Sequence, residues 1–405
     1  MSKSFFEELN WRGLVNQSTP NISKAFESGA TIYQGFDPTG SEMHIGHFLG
    51  LATLKRALQY GQKIIILIGG GTGMIGDPSG KDKERPVLIK DEIERNKEIM
   101  KNGFKPFFSF DDDNVKMVDN SSWLSDLPLV SFLRDAGKYI TVNSMLDKDS
   151  VSVRMERDSG ISYAEFSYQL LQAYDFSYLY EKYGCNVQLG GSDQWGNIIQ
   201  GVELIRKKIG KEAFGLSIPL ITNPKTGKKF GKTESGESIW LSAEKTHPFD
   251  FYQFFLNMED EMAEKLIYYF SFKSKNEIEE ILHSWQSDKS SRLVQYELAY
   301  EITSFIHGKD FAENVKAISK QLFENKEPIE LTEENLLSMK DVLPSTTVQS
   351  HDDYKIEDIV FELKLVSSKS EARRLIQQNG VKFWNIGKYR IFRKGKKEYG
   401  IVFVC

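Results

Sequence analysis

The hydrophobic pattern changes period twice between residues 31 and 68. Thr31 to Asp37 is a short apolar run typical of a strand, and Ile45 to Tyr60 carries apolar residues at helical spacing. Lys63 to Ile68 is then a nearly continuous apolar run, closed by three glycines. This order predicts a βαβ unit whose second strand is buried on both faces.

A second passage repeats the order. Cys185 to Leu189 is interpreted as a strand, two glycines and a helix through about Lys207 follow, and Ser217 to Thr222 is interpreted as another strand. Strands that alternate with helices predict an α/β fold with a Rossmann-like, doubly wound and mainly parallel sheet. Ligands of such sheets bind at the carboxyl ends of the strands.

Beyond Pro248 the pattern becomes helical. Four segments with helical spacing and few breakers follow one another, namely Phe251 to Asn257, Glu261 to Phe270, Lys275 to Trp285 and Ser291 to His307. They predict a separate α-helical domain.

The last part of the chain divides into a polar stretch and an ordered end. Residues 325–354 contain two prolines and a Ser-Thr-Thr run, a composition typical of a linker. Ser368 and Glu371 then have the spacing of a capping box, which predicts a helix from Ala372 to Gln378 with Gly380 as its stop. Val381 and Phe383 stand two residues apart, as do Ile401 and Phe403. Each pair predicts a strand in which both side chains lie on the same face.

These patterns predict five segments. They are a Rossmann-like domain over residues 1–223, a mobile loop and connection over 224–247, the helical domain over 248–325, a linker over 326–352 and a small α+β domain over 353–405.

Composition limits the class of protein. The 405 residues are 40% hydrophobic and 27% charged, which is ordinary for a soluble globular chain. The longest apolar run, Ile64 to Ile68, is far shorter than the roughly 18 residues of a membrane span, and the acidic N-terminus does not resemble a secretory signal. We therefore expect a cytoplasmic protein without a membrane partner. Cys185 and Cys405 form no C-x-x-C pair, which excludes a Cys-rich zinc site, and Cys185 is expected to be a small core residue.

Charge is concentrated at one end of the chain. Residues 363–405 hold eleven basic and two acidic residues, a net charge of +9. Because the whole chain has a net charge of −5, the remaining residues have a net charge of −14. A basic module on an acidic body indicates contact with nucleic acid, because Lys and Arg neutralise backbone phosphates. The alternative is a solvated basic tail, but a tail would not need the apolar strand pattern.

Two glycine-rich motifs are similar to the nucleotide-binding motifs of other protein classes. Gly71 to Gly76 matches G-x-G-x-x-G, but the following Asp77-Pro78 ends the helix that a dinucleotide fingerprint requires, which argues against a nicotinamide-dependent dehydrogenase. The segment Gly231-Lys232-Thr233 ends like a P-loop, but its opening glycine would fall at Thr226. The P-loop is therefore excluded.

Two further motifs suit a polyphosphate. His44-Ile45-Gly46-His47 places two histidines on one face of the first turn of a helix, where free N–H groups attract phosphate. Gly46 leaves room for a nucleotide to approach the backbone. Lys228 to Thr233 places cations around a flexible Phe-Gly, which suits a loop that closes on phosphates. Taken singly, the motifs would also fit helix-capping histidines and a solvated turn.

Together, His-Ile-Gly-His and, about 185 residues later, Lys-Phe-Gly-Lys-Thr resemble the two signatures of class I aminoacyl-tRNA synthetases. Four further segments resemble the bacterial-type tyrosyl-tRNA synthetase family, namely Tyr33 to Thr39, Gly76 to Lys81, Phe166 to Asp175 and Gln188 to Asn197. The similarity spans essentially the whole chain. The basic end, with Ser-Ser-Lys-Ser-Glu-Ala-Arg-Arg-Leu-Ile, is similar to a small RNA-binding fold shared with a small-subunit ribosomal protein.

The resemblance implies a two-step reaction on ATP, L-tyrosine and tRNA(Tyr). The tyrosine carboxylate attacks the α-phosphorus of ATP, and the tyrosyl group then passes to the terminal ribose of the tRNA. Because the nucleophile belongs to the substrate, the protein supplies position and positive charge. Matching positions are Thr39 and His44 for the γ-phosphate end, His47, Gly46, Asp193 and Gln194 for the nucleotide, and Lys81, Arg85, Lys229 and Lys232, with Thr233 of the same signature, for the departing pyrophosphate.

For the amino acid, the resemblance places Tyr33 and Asp175 at the phenolic hydroxyl. It places Asp77, Tyr168 and Gln172 at the ammonium group. The other matching positions for the amino acid are Gly35, Asp37, Asn120 and Gln188. A bound phenylalanine would leave the polar groups of Tyr33 and Asp175 without a hydrogen-bond partner, an effect for which tyrosyl-tRNA synthetases are the standard example. In the basic module, Arg373 and Arg374 are the expected tRNA contacts.

Two positions depart from the family pattern. The class signature Lys-Met-Ser-Lys-Ser reads Lys-Phe-Gly-Lys-Thr here, and Gly50 stands where some members have a polar residue. No carboxylate cluster predicts a protein metal site, so Mg²⁺ is expected to arrive with ATP. A homodimer is implied by the resemblance alone.

Two other functions remain open from the sequence. One is an RNA-binding or splicing-support protein with a vestigial centre, against which the intact His44, His47, Lys229 and Lys232 argue. The other is a small nucleotidylyltransferase with the same histidine helix, which leaves the helical domain and the basic end unexplained.

Overall fold

The structure is a computed structural model. It describes residues 4–40, 42–79, 88–148, 151–152, 155, 160–222, 230–231, 238–324, 336–337, 339–340, 342–350, 354–395 and 398–404. The chain forms two compact units, Met1–Ser238 with Tyr268–Phe272, and Ile239–Ile267 with Lys273–Cys405. Within the described ranges, no helix has the length and apolar character needed to cross a membrane.

A six-stranded sheet forms the centre of the first unit. Its strands are β1 (Gln17–Ser18), β2 (Thr31–Phe36), β3 (Lys63–Ile68), β4 (Val115–Asp119), β5 (Val187–Gly191) and β6 (Phe214–Ile218). The spatial order is β1-β6-β5-β2-β3-β4, with β1 antiparallel at one edge and all other pairs parallel. The predicted doubly wound, mainly parallel sheet is therefore confirmed, and its order reverses between β2 and β5, where such sheets bind ligands.

Helices of the first unit surround this sheet. They are α1 (Phe5–Trp11), α2 (Ile22–Glu27), α3 (Ile45–Gln59), α4 (Lys90–Phe104), α5 (Ser121–Leu124), α6 (Leu129–Asp135), α7 (Val142–Leu146), α8 (Tyr163–Tyr183) and α9 (Trp195–Ile209). A core that includes Tyr33, Leu67, Phe176 and the fully buried Cys185 joins the sheet to α8, so Cys185 is a small core residue as expected. Thr72–Met74 forms only a short 3₁₀ turn, which agrees with the rejection of a dinucleotide fingerprint.

One predicted strand is displaced. The prediction placed it at Ser217 to Thr222, whereas β6 runs over Phe214–Ile218 and pairs with β5 and β1. Pro219 directly follows β6, and a proline lacks the N–H that would continue the ladder. The apolar run beyond it therefore leaves the sheet.

The second unit begins with a set of helices. They are α10 (Pro248–Leu256), α11 (Asp260–Phe270), α12 (Lys275–Ser287), α13 (Leu293–His307) and α14 (Lys309–Glu324), of which α11 ends in residues that cluster with the first unit. The first four occupy the segments with predicted helical spacing. The predicted boundaries between the five segments stay a prediction.

A four-stranded sheet with two helices follows. The elements are β7 (Ser345–Val348), α15 (Ile356–Glu362), α16 (Lys369–Gln377), β8 (Val381–Ile386), β9 (Tyr389–Lys394) and β10 (Glu398–Val404), and the strand order is β7-β10-β9-β8. The Ser368 hydroxyl caps α16 by accepting from the Glu371 N–H, while Glu371 accepts from Ser367 and so completes the cap one residue earlier than predicted. The residue with positive φ at the end of α16 is Asn379 (53°), not the predicted Gly380.

The polar stretch that was interpreted as a linker contributes to this sheet. Ser345–Val348 is strand β7, which pairs in parallel with β10, and Leu336, Met339 and Val342 before it are at most 1% exposed. The linker interpretation is wrong for these residues. Their partner strand lies more than fifty residues later in the sequence, so the local pattern gave no sign of the pairing.

Candidate active site

The site lies where the strand order reverses. Tyr33 on β2 and Gln188 on β5 are register partners across the β2–β5 pair, and both side chains are at most 2% exposed. Gly35 follows on β2 with its Cα facing Leu67, where an added Cβ would be 3.9 Å from a leucine methyl group. The carboxyl ends of β2, β3 and β5 therefore supply one wall of the site.

Tyr33 and Asp175 form its buried end. Each is 1% exposed, and among the described residues neither the Tyr33 hydroxyl nor Gln188 Oε1 has a hydrogen-bond partner. Burial raises the pKa of Asp175 to about 7, against the lowering effect of its hydrogen bonds. Burial, and then the charge of Asp175, also holds the pKa of Tyr33 well above its usual range. Unpaired polar atoms in an apolar core are expected where a polar ligand completes them.

The Asp175 carboxylate is held from two sides. Asn120 Nδ2 donates to Oδ2 at 2.8 Å and Trp123 Nε1 donates to Oδ1 at 2.7 Å. The indole of Trp123 stacks on Tyr178 with ring centroids 4.3 Å apart, which fixes its N–H. Each carboxylate oxygen keeps a second lone pair with which to accept from a ligand hydroxyl.

A second carboxylate, Asp37, is connected to the first by hydrogen bonds. It accepts from the Tyr168 hydroxyl at 2.7 Å and from the Thr72 hydroxyl at 2.8 Å. Thr72 in turn accepts from Asn120 Nδ2 at 2.9 Å, so Tyr168, Asp37, Thr72, Asn120 and Asp175 form one network. Burial, followed by the negative charge of Asp37, raises the pKa of Tyr168 well above its usual range, which keeps its hydroxyl protonated.

A third carboxylate, Asp77, belongs to a neighbouring network. Gln194 Nε2 donates to its Oδ2 at 2.6 Å and the Ser79 N–H donates to its Oδ1 at 2.9 Å. Gln172 lies beside them, since its Nε2 donates to Gln194 Oε1 at 3.4 Å and its Oε1 accepts from Asn197 at 3.0 Å. Two of the three residues predicted for the ammonium, Asp77 and Gln172, thus share Gln194 as a hydrogen-bond partner, whereas Tyr168 belongs to the network of Asp37. Asp193 precedes Gln194 in the same 3₁₀ turn.

The two histidines of the first signature cap α3. His44 Nδ1 accepts from the Gly46 N–H at 3.0 Å, and His47 Nδ1 accepts from the His44 N–H at 3.1 Å. Because both Nδ1 atoms accept, a neutral ring at either position carries its proton on Nε2. Burial, and then the neighbouring His44, lowers the pKa of His47 to about 3, so His47 is a neutral donor at pH 7.

Gly46 has a structural role that the sequence did not indicate. A Cβ at this position would lie 2.7 Å from His44 Cε1, so a larger residue would displace the ring. Thr39 lies at the start of the same passage, where its N–H donates to the Asp37 carbonyl at 2.8 Å.

Five predicted cationic or signature residues, Lys81, Arg85, Lys229, Lys232 and Thr233, lie outside the described residues. In the second unit, Arg373 and Arg374 are exposed on α16, and Arg373 Nε lies 3.6 Å from Glu357 Oε1. An exposed pair at this distance is weak and leaves Arg373 available to a stronger anion. Within the described ranges, no three His, Cys, Asp or Glu side chains form a group that could hold a metal ion.

Sequence reasoning missed Thr72, Trp123 and Asn197. Thr72 joins Asp37 to Asn120, Trp123 fixes the Asp175 carboxylate of α8 from a position 52 residues earlier in the chain, and Asn197 fixes Gln172. One signal was present, because Asn120 to Trp123 directly follow the end of a strand, where ligand-binding residues of this sheet type collect.

Comparisons with known proteins place this geometry in a family. The family model described as "tRNA synthetases class I (W and Y)" matches residues 25–324. A tyrosine–tRNA ligase of Roseiflexus castenholzii is 40% identical over 98% of this chain and 99% of its own, and one of Staphylococcus haemolyticus is 42% identical over 99% of both.

Solved structures agree. A C-terminally truncated mitochondrial tyrosyl-tRNA synthetase of Aspergillus nidulans superposes with a TM-score of 0.72 at 33% identity, covering 80% of this chain and 95% of its own. The tyrosyl-tRNA synthetase of Archaeoglobus fulgidus complexed with L-tyrosine, at 17% identity and a TM-score of 0.55, covers 77% of this chain and 99% of its own and shares the fold. The chain therefore belongs to the tyrosine–tRNA ligase family of class I tRNA synthetases.

Proposed function

We propose that this chain activates L-tyrosine with ATP to give tyrosyl-adenylate and pyrophosphate, and then transfers the tyrosyl group to the 3′ end of tRNA(Tyr). The observation that carries the choice of amino acid is the buried pair of Tyr33 and Asp175, with an unpartnered hydroxyl and a fixed carboxylate among the described residues. A phenol placed between them satisfies both, whereas a phenyl ring satisfies neither.

The opposite end of the amino acid faces the other two carboxylates. Asp77, together with the Tyr168 hydroxyl and the Gln172 amide, offers acceptors for an ammonium group. Tyr168 is anchored on Asp37 and Gln172 on Asn197, so the acceptors are fixed before the substrate arrives. Tyrosine is thus held at both ends, and its carboxylate is presented to the nucleotide.

Adenylate formation needs no protein nucleophile. A tyrosine carboxylate oxygen forms a bond to the α-phosphorus, and the bond from that phosphorus to the bridging oxygen breaks as pyrophosphate leaves. His44 and His47 lie at the N-terminus of α3, where the helix favours anions, and the neutral His47 ring supplies an Nε2–H donor. Lys81, Arg85, Lys229 and Lys232 supply the cations that stabilise the charge developing on pyrophosphate. Mg²⁺ enters as part of the ATP substrate.

The second step uses the tRNA as nucleophile. A hydroxyl of its terminal ribose attacks the tyrosyl carbonyl carbon, AMP leaves, and the hydroxyl proton is released. The basic module, with Arg373 and Arg374 exposed on α16, binds the RNA backbone through its excess of positive charge. We further propose that the enzyme works in the cytoplasm as a homodimer.

Tyrosine-dependent exchange of pyrophosphate into ATP tests this function. Exchange that requires tyrosine and is not supported by phenylalanine or tryptophan, followed by charging of tRNA(Tyr), is the expected result. Exchange without an amino acid would favour a nucleotidylyltransferase. RNA binding without any exchange would favour the RNA-binding protein with a vestigial centre.

A further inference from the structure

The short segment Tyr268–Phe272, at the end of α11, is fixed in the first unit by two buried arginines. Arg12 Nη1 donates to the carbonyls of Tyr268 and Ser271 at 2.9 and 2.8 Å. Arg56, in the last turn of α3, donates from Nη2 to the carbonyls of Tyr269 and Ser271 at 2.6 and 2.8 Å. The two guanidinium groups are at most 3% exposed, and charged donors to a carbonyl make strong, directional bonds. The segment is therefore rigidly tied to the helix that carries the first signature.

Phe270 lies within this segment and is fully buried. Its ring packs edge to face on Phe48 of α3, with centroids 4.9 Å apart, and also contacts Phe230, with centroids 6.1 Å apart. Phe48 directly follows His47 in the first signature, and Phe230 is the aromatic residue of the second. A single side chain thus contacts an aromatic residue of each signature region.

The backbone at Phe230 is fixed in the same place. The Phe230 N–H donates to the Ile221 carbonyl at 2.9 Å, and Gly231 adopts a φ of +100° that favours glycine. A Cβ on Gly231 would be 2.6 Å from Ile45 Cγ2 and 3.6 Å from the Gly46 nitrogen. Gly231 therefore lies directly on the first turn of α3, beside the histidines.

We propose that Phe270 is a positioning residue for adenylate formation, an inference that rests on the proposed function. Phe270 fixes Phe230, and Phe230 and Gly231 are joined by peptide bonds to Lys229 and Lys232, the two cations assigned to pyrophosphate. The positions of Phe230 and Gly231 therefore limit how closely the lysine ammonium groups can approach the leaving pyrophosphate. Misplacement by about 1 Å is enough to lower a rate roughly 100-fold.

A positioning role for Phe270 affects the rate of adenylate formation but not the affinity for tyrosine. Tyrosine binds among β2, β5 and α8, away from Phe230 in the sequence and in the networks described, so its affinity should not depend on Phe270. The rate of adenylate formation should depend on it, because the lysine contacts strengthen as charge develops in the transition state.

The test measures adenylate formation in the full chain by rapid-mixing kinetics, normalised by titration of active sites. We expect Phe270→Ala to lower this rate about 10- to 100-fold while the dissociation constant of tyrosine changes less than about twofold. Phe270→Leu, which keeps most of the apolar volume and protects folding, should recover part of the rate. Phe26→Leu is the matched control, since Phe26 is a buried ring of the same unit that packs on Phe5 with centroids 5.0 Å apart.

A double-mutant cycle distinguishes positioning from general destabilisation. If Phe270 acts through the lysines, Phe270→Ala should have little further effect when Lys232 is already alanine. Losses that simply multiply in the double variant, or a Phe270→Ala rate equal to that of the wild type, would overturn the positioning role and leave the proposed function standing. Absence of tyrosine-dependent exchange in the wild type would overturn both.

Discussion

Replacing Tyr33 by phenylalanine removes one hydroxyl from the deepest part of the site. That hydroxyl is buried and has no hydrogen-bond partner among the described residues. A buried polar group without a partner destabilises a fold by about 1–3 kcal/mol. Tyr33→Phe should therefore leave the free energy of unfolding unchanged or raise it by about 1 kcal/mol in the absence of substrate.

The same change should lower selectivity by a limited amount. A neutral hydrogen bond contributes about 0.5–1.5 kcal/mol net, which corresponds to a factor of about 2 to 10. Asp175 remains in place, held by Asn120 and Trp123, and still accepts from the substrate hydroxyl. The ratio of kcat/KM for tyrosine over phenylalanine should thus fall about 2- to 10-fold, and the preference for tyrosine should persist.

Tyr168→Phe is the matched control, because it also removes a hydroxyl from a buried tyrosine. The Tyr168 hydroxyl donates to Asp37 at 2.7 Å, so its loss leaves a carboxylate oxygen short of a donor and should lower the free energy of unfolding by about 1.5–3 kcal/mol. Tyrosine and phenylalanine share the ammonium that this end of the site binds. Their kcat/KM values should therefore fall together, with their ratio unchanged.

Pyrophosphate exchange with tyrosine and with phenylalanine, and urea unfolding, are measured for the wild type and for both variants. The assignment of Tyr33 to the phenol would be refuted by a tyrosine-to-phenylalanine ratio that does not move in Tyr33→Phe. A ratio that falls in Tyr168→Phe as well would show that both residues act on the same end of the substrate.

Three further predictions address the charges. Lys232→Ala should slow adenylate formation about 100-fold in single-turnover kinetics with little change in the dissociation constant of tyrosine; equal losses in both would contradict the role. Since burial raises the pKa of Asp175 from about 4 to about 7, its folded form holds the proton more tightly. Stability should fall by up to about 4 kcal/mol as pH rises from 4 to 8, and urea unfolding of Asp175→Asn should lack this loss. Arg373→Gln with Arg374→Gln should weaken tRNA charging and flatten its salt dependence by about 0.7–0.9 per lost contact, whereas pyrophosphate exchange should not change; an unchanged salt slope would favour the solvated-tail alternative.

The parts of the fold predicted from sequence are those encoded by local periodicity. β3 occupies the predicted Lys63–Ile68, and the helix after His44 begins at the predicted residue, because apolar spacing and a capping side chain act over a few positions. β7 and the displaced β6 depend on partners far along the chain, and a local pattern carries no information on such pairing.

The same division holds within the site. The signatures, together with Tyr33 and Asp175, are assigned through short motifs that match a family. Thr72 and Trp123 are ordinary residues in sequence and gain their roles only when β2, β4 and α8 bring Asp37, Asn120 and Asp175 within hydrogen-bond distance. Motifs therefore name the groups proposed to contact substrates, whereas the residues that hold those groups are identified only from the fold.

The described part of the proposed site holds carboxylates and the neutral His47, whereas the cations proposed for pyrophosphate lie outside the described residues. Burial, and then the charge of Asp37, raises the pKa of Asp175, while the ammonium is proposed to bind at the other end of the amino acid, beside Asp77, Tyr168 and Gln172. A permanent cation fixed in this network would repel that ammonium. A neutral His47 avoids this problem, because it can donate to a phosphate without adding charge to the tyrosine end of the site. The lysines assigned to pyrophosphate serve a different moment of the reaction, when negative charge grows on the leaving group, and a separate segment anchored at Phe230 and Gly231 can supply them there without weakening the recognition of tyrosine.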